Sequence, residues 1–205
     1  MTDQQIIPLP DQNLVLAESG PMRLFIQAWF GENPLLKLGV EAAERSFDFL
    51  NQVAANQFIL KQLPNRISVK SKDPIPRSMI NSVSIMESDD LTPMAAVAGA
   101  IADAVADWLW TKKVTKVIVN NGGDIAIRLA KNETTKIGLR SNVNRQDISY
   151  TIRLKGSQLS WGINTSGLGG RSFTRGIASA VTVFAKTSTI ADAAATGIAN
   201  ECYVN

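Results

Sequence analysis

The sequence predicts an α+β fold, a single domain spanning 1–205 in which an antiparallel sheet carries packed helices. Three observations lead there. Strand-like and helix-like segments come in blocks instead of strict alternation. The chain has 205 residues, enough to bury one compact core. Hydrophobic residues make up 45%, a globular proportion that excludes global disorder.

The elements follow in order. Residues 22–30 are rich in Leu, Phe, Ile and Trp and read as a buried strand, paired with 14–18 across Ser19-Gly20-Pro21. Asn33-Pro34 reads as a cap followed by proline at the first helical position. That helix is expected to run to about Gln62, with Leu36, Val40, Ala43, Phe47, Leu50 and Ala54 on one face. The spacing of Met79, Ile80, Val83 and Met86 predicts a second helix over 76–87. Thr92-Pro93 repeats the cap-plus-proline signal before a helix rich in Ala and Gly. From Lys113 the pattern changes, and 114–119, 125–129, 135–140, 148–154 and 159–163 read as strands. Asn120-Asn121-Gly122-Gly123-Asp124 reads as a tight turn, 164–176 as a long Gly/Ser/Thr loop, 180–185 as a β-rich run and 189–200 as an Ala-rich helix. The run Ala98-Gly-Ala-Ile-Ala-Asp-Ala echoes Ile190-Ala-Asp-Ala-Ala-Ala, which raises a duplicated strand–helix unit beside chance likeness of alanine-rich helices. The ending at Cys202-Tyr-Val-Asn205 reads as the start of a strand, so the native chain is expected to continue.

Composition removes several chemistries. The chain has no His, which excludes Ser-His-Asp and Cys-His nucleophiles and His-ligated zinc. Its single cysteine, Cys202, excludes internal disulfides and Cys-rich metal clusters. Any metal is therefore expected on oxygen ligands, which suits Mg²⁺, Ca²⁺ or Mn²⁺. A net charge of +3 without a Lys/Arg block predicts no nucleic acid partner. The most apolar stretch, 94–110, contains Asp103 and Asp107 and does not read as a membrane span. The N-terminus lacks a secretory pattern, so a cytoplasmic protein is expected.

Four segments can carry chemistry, each beside a structural reading. Asp192 and Thr196 stand four apart and share a helix face, where carboxylate and hydroxyl can hold a hard cation; on spacing alone the commoner explanation is an ordinary first-turn Asp on a small-residue packing face. In 164–176, Thr165, Ser166, Gly167 and Arg171 belong to a loop able to cradle and clamp an anion, or to a long surface hairpin. Asn121, Gly122 and Asp124 fit a β-turn. Thr92 fits an N-cap, at a helix start that also suits an anion. No P-loop or Gly-x-Gly-x-x-Gly fingerprint is present.

Taken in order, these segments resemble the ApbE-like flavin transferase family (FAD:protein FMN transferase). The resemblance lies in Thr92-Pro-Met-Ala-Ala-Val-Ala-Gly99-Ala-Ile-Ala-Asp103, Val119-Asn-Asn-Gly122-Gly-Asp124, Asn164-Thr165-Ser166-Gly167, and Ala180-Val-Thr-Val with Ile190-Ala-Asp192-Ala-Ala-Ala-Thr196. It covers roughly 85–200, and its form looks closest to a small ApbE-like branch. It implies an ApbE-like, T-fold-like architecture and a protein that binds FAD with Mg²⁺ and attaches FMN to a threonine of an acceptor protein. Asp192 and Thr196 match the family's metal-binding pair, and a backbone carbonyl near 98–100 matches its third protein ligand. The same matches imply a cofactor role for Thr92, Gly99, Asn121, Gly122, Asp124, Thr165, Ser166, Gly167 and Arg171.

The departures are specific. The family's Lys-Gly-Tyr appears as Ala98-Gly99-Ala100, and its His-Ile-x-Asp-Pro as Arg171-Ser-Phe-Thr-Arg175-Gly-Ile. Three readings therefore stand side by side. One is Mg²⁺-dependent transfer of FMN from FAD. Another is a diverged scaffold for a different small anionic ligand. The third is a non-catalytic binding or assembly module. Self-association through strand edges is an added expectation.

Overall fold

A computed structural model of the chain describes residues 3–68, 71–139, 148–168 and 174–202. The N-terminal part supplies strands β1 (Gln4–Leu9), β2 (Leu14–Ser19), β3 (Met22–Phe30) and the short β4 (Asn33–Pro34). Helices α1 (Leu36–Ala55), α2 (Gln57–Leu60) and α3 (Pro74–Ser84) follow. Helix α4 (Val97–Trp110) precedes β5 (Lys116–Asn121), β6 (Asp124–Leu129), β7 (Thr134–Leu139) and β8 (Tyr150–Lys155). The described part closes with β9 (Ser160–Ser166), β10 (Val181–Ala185) and α5 (Ser188–Glu201).

Eight strands make one sheet in the order β1-β2-β3-β5-β6-β9-β10, with β4 paired to β3. Every pairing is antiparallel. Strand periodicity separates its two faces. Val15, Ala17, Leu24, Ile26, Val117, Val119 and Ala126 meet the helices in the main core. Ile127, Leu129 and Ile163 point the other way and are covered by Ile137 and Leu154 of the β7–β8 hairpin. Each large apolar side chain so buried contributes about 1.5–3 kcal/mol. The α+β class, the antiparallel sheet and the packed helices are thus as the sequence predicts.

Several boundaries differ, each for a physical reason. Asn33 and Pro34 do not open the first helix. They pair back onto Phe30 and Trp29 as β4, and α1 starts at Leu36 without a side-chain cap. The helix does not reach Gln62 unbroken, since Asn56 leaves the helical region and α2 is a separate turn. Helix α3 starts two residues earlier than expected, at Pro74, and ends at Ser84; Glu87 lies beyond it at φ 51°. Thr92-Pro93 opens a 3₁₀ turn over Pro93–Ala96, and α4 begins only at Val97. Asn164 and Ser166, expected in a loop, complete β9 opposite β10. Strand β1 has no counterpart in the sequence reading; its mostly exposed Gln-Gln-Ile-Ile-Pro-Leu shows no clean apolar–polar alternation.

Candidate functional site

The two-residue period of the strands decides which polar groups meet. On β6, Asp124, Ala126 and Arg128 face the helices; on β9, Gly162, Asn164 and Ser166 do so. Asn121 pairs with Asp124 across the β5–β6 turn, where Gly122 and Gly123 take φ of 69° and 114° as a two-residue hairpin requires. The Asn120 side chain accepts from the Gly123 amide at 2.8 Å and closes the turn. The predicted turn is therefore real, and it sets Asp124 and Asn121 at one end of the helix-covered face.

Helices α4 and α5 lie on that face with their first turns in contact. Asp192 Oδ2 accepts from the Gly99 amide at 2.9 Å, and the Ala98 amide also reaches the carboxyl. These amides belong to the open first turn of α4, whose own cap position is Ala96, with no side-chain acceptor. The carboxyl on α5 therefore caps α4. The converse contact is also made: Asp103 Oδ2 on α4 accepts from the Thr189 amide at 2.8 Å and its hydroxyl at 2.7 Å, at the first turn of α5. Gly99 permits the close approach, because a Cβ there would sit 2.3 Å from the Ser188 carbonyl oxygen.

The buried polar groups divide into two sets. Arg128, 4% exposed, donates to Asp103 at 2.9 Å and to Asp107 at 2.8 Å. Burial works against its charge, the two carboxylates outweigh burial, and the guanidinium holds its proton more tightly than usual. Asp192 and Asp124 have no such cation among the described residues. Burial pushes the Asp192 carboxyl well above the ordinary carboxylate range and Asp124 pushes it further, while the Gly99 and Ala98 amides and Asn164 draw it back. Burial raises Asp124 to about 7, with Asn164 again opposing. Asn164 is fully buried, and its Oδ1 accepts from Ser188 Oγ at 2.9 Å. Its amide nitrogen faces the carboxyls but completes no well-formed hydrogen bond. This orphaned polar atom and the uncompensated carboxyls mark a site whose electrostatics are left open.

Among the described residues, no group of three or more His, Cys, Asp and Glu side chains is placed to hold a metal. The donors here are of mixed origin instead. They are the carboxyls of Asp192 and Asp124, the Ala98 carbonyl, which accepts from Asn121 Nδ2 at 3.2 Å, and the buried Thr196 hydroxyl one turn beyond Asp192. All are oxygens, the ligand chemistry of a hard cation, and a buried and a half-buried carboxyl without a counter-charge fit such an ion.

The candidate residues do not all converge. Gly99, Asn121, Asp124 and Asp192 come together, with Thr196 following along α5 and Gly122 in the adjoining turn. Thr92 makes no side-chain cap bond and precedes the 3₁₀ turn that packs on α5. Thr165 lies on the outer face of β9, hydrogen-bonded to Thr182 at 2.9 Å. Ser166 faces inward and pairs with the Thr174 hydroxyl at 2.8 Å, while Gly167 lies against the Ser179 backbone. Arg171 lies outside the described residues. A separate groove of about 400 Å³ runs between α3 and the first turn of α5, lined by Arg77, Ser78, Asn81, Thr187 and Ile190.

A family model described as AbpE bacteria matches residues 8–205. The chain belongs to this family. A UPF0280 protein of Methanosphaera stadtmanae is 35% identical over 74% of this chain and 59% of its own length. One from Methanobrevibacter smithii is 42% identical over 55% of this chain, and one from Methanocaldococcus jannaschii 37% over 73%. The matches span 47% and 62% of those two relatives, so the chain accounts for about half to three fifths of the curated proteins it matches. Among solved structures, a flavin transferase ApbE from Vibrio cholerae superposes with TM-score 0.57 at 14% identity, covering 96% of this chain and 86% of that one. An apo flavinyl transferase ApbE from Pseudomonas stutzeri gives 0.53 at 13%, covering 95% and 84%. These likenesses establish the ApbE-like fold.

Two buried polar residues of this chain are not among the candidate site residues the sequence points to. Arg128 carries a signal in hindsight of its strand: a charge inside the apolar run Ile125-Ala-Ile-Arg128-Leu must find buried partners. Asn164 looked like a loop residue because Thr-Ser-Gly follows it, and only the β9–β10 register shows it facing inward.

Proposed function

We propose that the chain is a Mg²⁺-dependent flavin transferase of the ApbE type, moving FMN from FAD to a threonine of an acceptor protein. The carrying observation is the pairing of half-buried Asp124 with buried Asp192, set beside the Ala98 carbonyl and left without an internal counter-cation among the described residues. When bound there, Mg²⁺ would neutralise the pyrophosphate and the departing AMP. Asp192 and Thr196 would hold the ion with the Ala98 carbonyl, and Asp124 would lie in its immediate surroundings. Gly99 keeps α5 close enough to α4 for these groups to converge. In the transfer, the acceptor threonine oxygen forms the new bond to the flavin-side phosphorus. The pyrophosphate P–O bond to AMP breaks, and the hydroxyl proton leaves with the AMP phosphate.

A second reading has its own observation. Ala100 stands where the family carries an aromatic and is 3% exposed within the main core. No ring stacks from this position, which favours a small anionic ligand other than flavin. A thermal-shift titration with FAD, FMN and AMP, each with and without Mg²⁺, separates the two. A ligand at a hundredfold excess over its dissociation constant stabilises the native state by about 2.7 kcal/mol. A Mg²⁺-dependent shift with FAD that is lost in Asp192→Asn supports transfer. A shift with AMP alone transfers support to the second reading, and silence from all three rejects flavin chemistry. Among the described residues, no helix is long and apolar enough to cross a membrane.

A further inference from the structure

The tetrapeptide Ile-Ala-Asp-Ala occurs twice, at 101–104 in α4 and at 190–193 in α5. Each copy delivers its aspartate to the first turn of the other helix, Asp103 to Thr189 and Asp192 to Gly99. Each aspartate is also followed four residues later by an oxygen-bearing side chain, Asp107 in one helix and Thr196 in the other. The two halves differ in what satisfies them. In the α4 half, the Arg128 guanidinium bridges Asp103 and Asp107. In the α5 half, no cationic side chain among the described residues acts on Asp192.

We infer that the α4 copy is a sealed counterpart of the α5 site, with Arg128 as its built-in cation, and that Asp103 and Arg128 are positioning residues for cation binding at Asp192. Asp103 joins three elements: its Oδ1 takes Arg128 from β6, its Oδ2 takes Thr189 from α5, and its backbone belongs to α4. Arg128 fixes the rotamer of Asp103, and Asp103 fixes the first turn of α5. That turn sets where Asp192 and Thr196 project relative to the Ala98 carbonyl. Neither Asp103 nor Arg128 is among the groups proposed to hold the cation. Their effect passes through geometry, as outer partners act on metal ligands elsewhere.

This inference rests on the proposed cation site, and the test keeps the two apart. Mn²⁺, a paramagnetic substitute for Mg²⁺ on oxygen ligands, is titrated into the full chain, with bound and free ion read by electron paramagnetic resonance. The wild-type chain is compared with Asp103→Asn, Arg128→Met, Arg128→Lys and Val53→Ala, and the melting temperature of each is recorded. Val53 is buried in α1 away from the site and serves as a control for general loss of stability. Asp103→Asn and Arg128→Met are expected to weaken Mn²⁺ binding by about 10–100-fold, as removal of outer-shell partners does. Arg128→Lys, which keeps the charge, is expected to recover part of that loss, while Val53→Ala melts lower and binds as the wild type does. Wild-type affinity in folded Asp103→Asn and Arg128→Met overturns the positioning role and leaves the cation site standing. Equal weakening in Val53→Ala overturns it too, because stability alone would then account for the effect. If wild-type protein binds no Mn²⁺ at all, the cation site falls and this inference falls with it. Should Arg128→Met not fold, Asp103→Asn and Arg128→Lys carry the comparison.

Discussion

Asp103 and Asp192 cap each other's helices: Asp192 accepts from Gly99 in the first turn of α4, and Asp103 from Thr189 in the first turn of α5. A carboxylate at a helix N-terminus meets unpaired amides and the positive end of the dipole, so each contact is favourable where it stands. The reciprocity also forces both first turns into one small volume, and a glycine at position 99 is what allows it. The cost is a second carboxyl, the half-buried Asp124, near Asp192 with no internal cation among the described residues to share. The fold thus builds one satisfied acidic site around Arg128 and one unsatisfied site around Asp192.

The unsatisfied site predicts opposite effects on stability and binding. Asp192→Asn removes the repulsion with Asp124 while its amide oxygen can still accept from Gly99. In cation-free buffer at pH 8, this variant is expected to melt above the wild type. In a chain of this size each kcal/mol corresponds to about 2–4 °C. With Mg²⁺ added, the wild type gains stability and the variant does not. Differential scanning calorimetry with and without Mg²⁺ measures both effects, and a variant that melts lower in cation-free buffer contradicts the repulsion.

Asp124 gives a pH dependence with a defined sign. Its pKa rises from the ordinary 3.8 to about 7 on folding, chiefly through burial. The native state therefore takes up a proton on Asp124 between those values, and this group's contribution to the stability of cation-free protein falls as pH rises from about 4 to 7, then levels. Asp192 is shifted in the same direction and steepens the fall. One fully differential proton changes stability by about 1.4 kcal/mol per pH unit. Urea unfolding across this range in a chelating buffer is expected to show the decline, and Asp124→Asn to make it shallower while the Asp192 contribution remains.

Part of this fold is legible in the sequence. Strands β2 and β3 and the hairpin at Gly122-Gly123 carry strong local signals, and the structure keeps them. Asp192 and Thr196 share one face of α5, as the helical period places i and i+4 together. Asp124 and Asn164 become neighbours only through the β6–β9 register, a non-local fact that no window of sequence contains. Asn33-Pro34 misled for a related reason: a good local helix start lost to backbone pairing with Phe30 and Trp29. Thr165 and Ser166 look alike in sequence, yet the strand period sends Thr165 outward to Thr182 and Ser166 inward to Thr174.

The close approach at position 99 has a direct test. A methyl group at Gly99 would meet the Ser188 carbonyl oxygen at 2.3 Å and the Asp192 Cβ at 2.9 Å. Both neighbours belong to a packed helix, so α5 must move as a whole. Gly99→Ala is expected to cost about 1–3 kcal/mol, the usual range for overpacking a core. It should also abolish the Mg²⁺-dependent stabilisation, since the displaced turn carries Asp192 with it. Retention of that stabilisation would place the cation elsewhere.

The sealed half of the site is expected to behave as a coupled unit. Arg128→Met leaves Asp103 and Asp107 without their shared cation, and Asp103 is nearly inaccessible to water. Removing one partner of a buried pair costs about 3–5 kcal/mol, because the remaining charge is stranded. Asp103→Asn strands less, since Arg128 keeps Asp107, whose side chain is 65% exposed. In the double variant the stranded carboxylate is gone, so the two losses should fall short of adding by about 0.5–3 kcal/mol. Urea unfolding of the four members of this cycle measures the coupling. Strict additivity would mean that Arg128 draws its stability from Asp107 and the Ile127 carbonyl, to which it also donates at 3.1 Å, and that Asp103 is tethered by Thr189 alone.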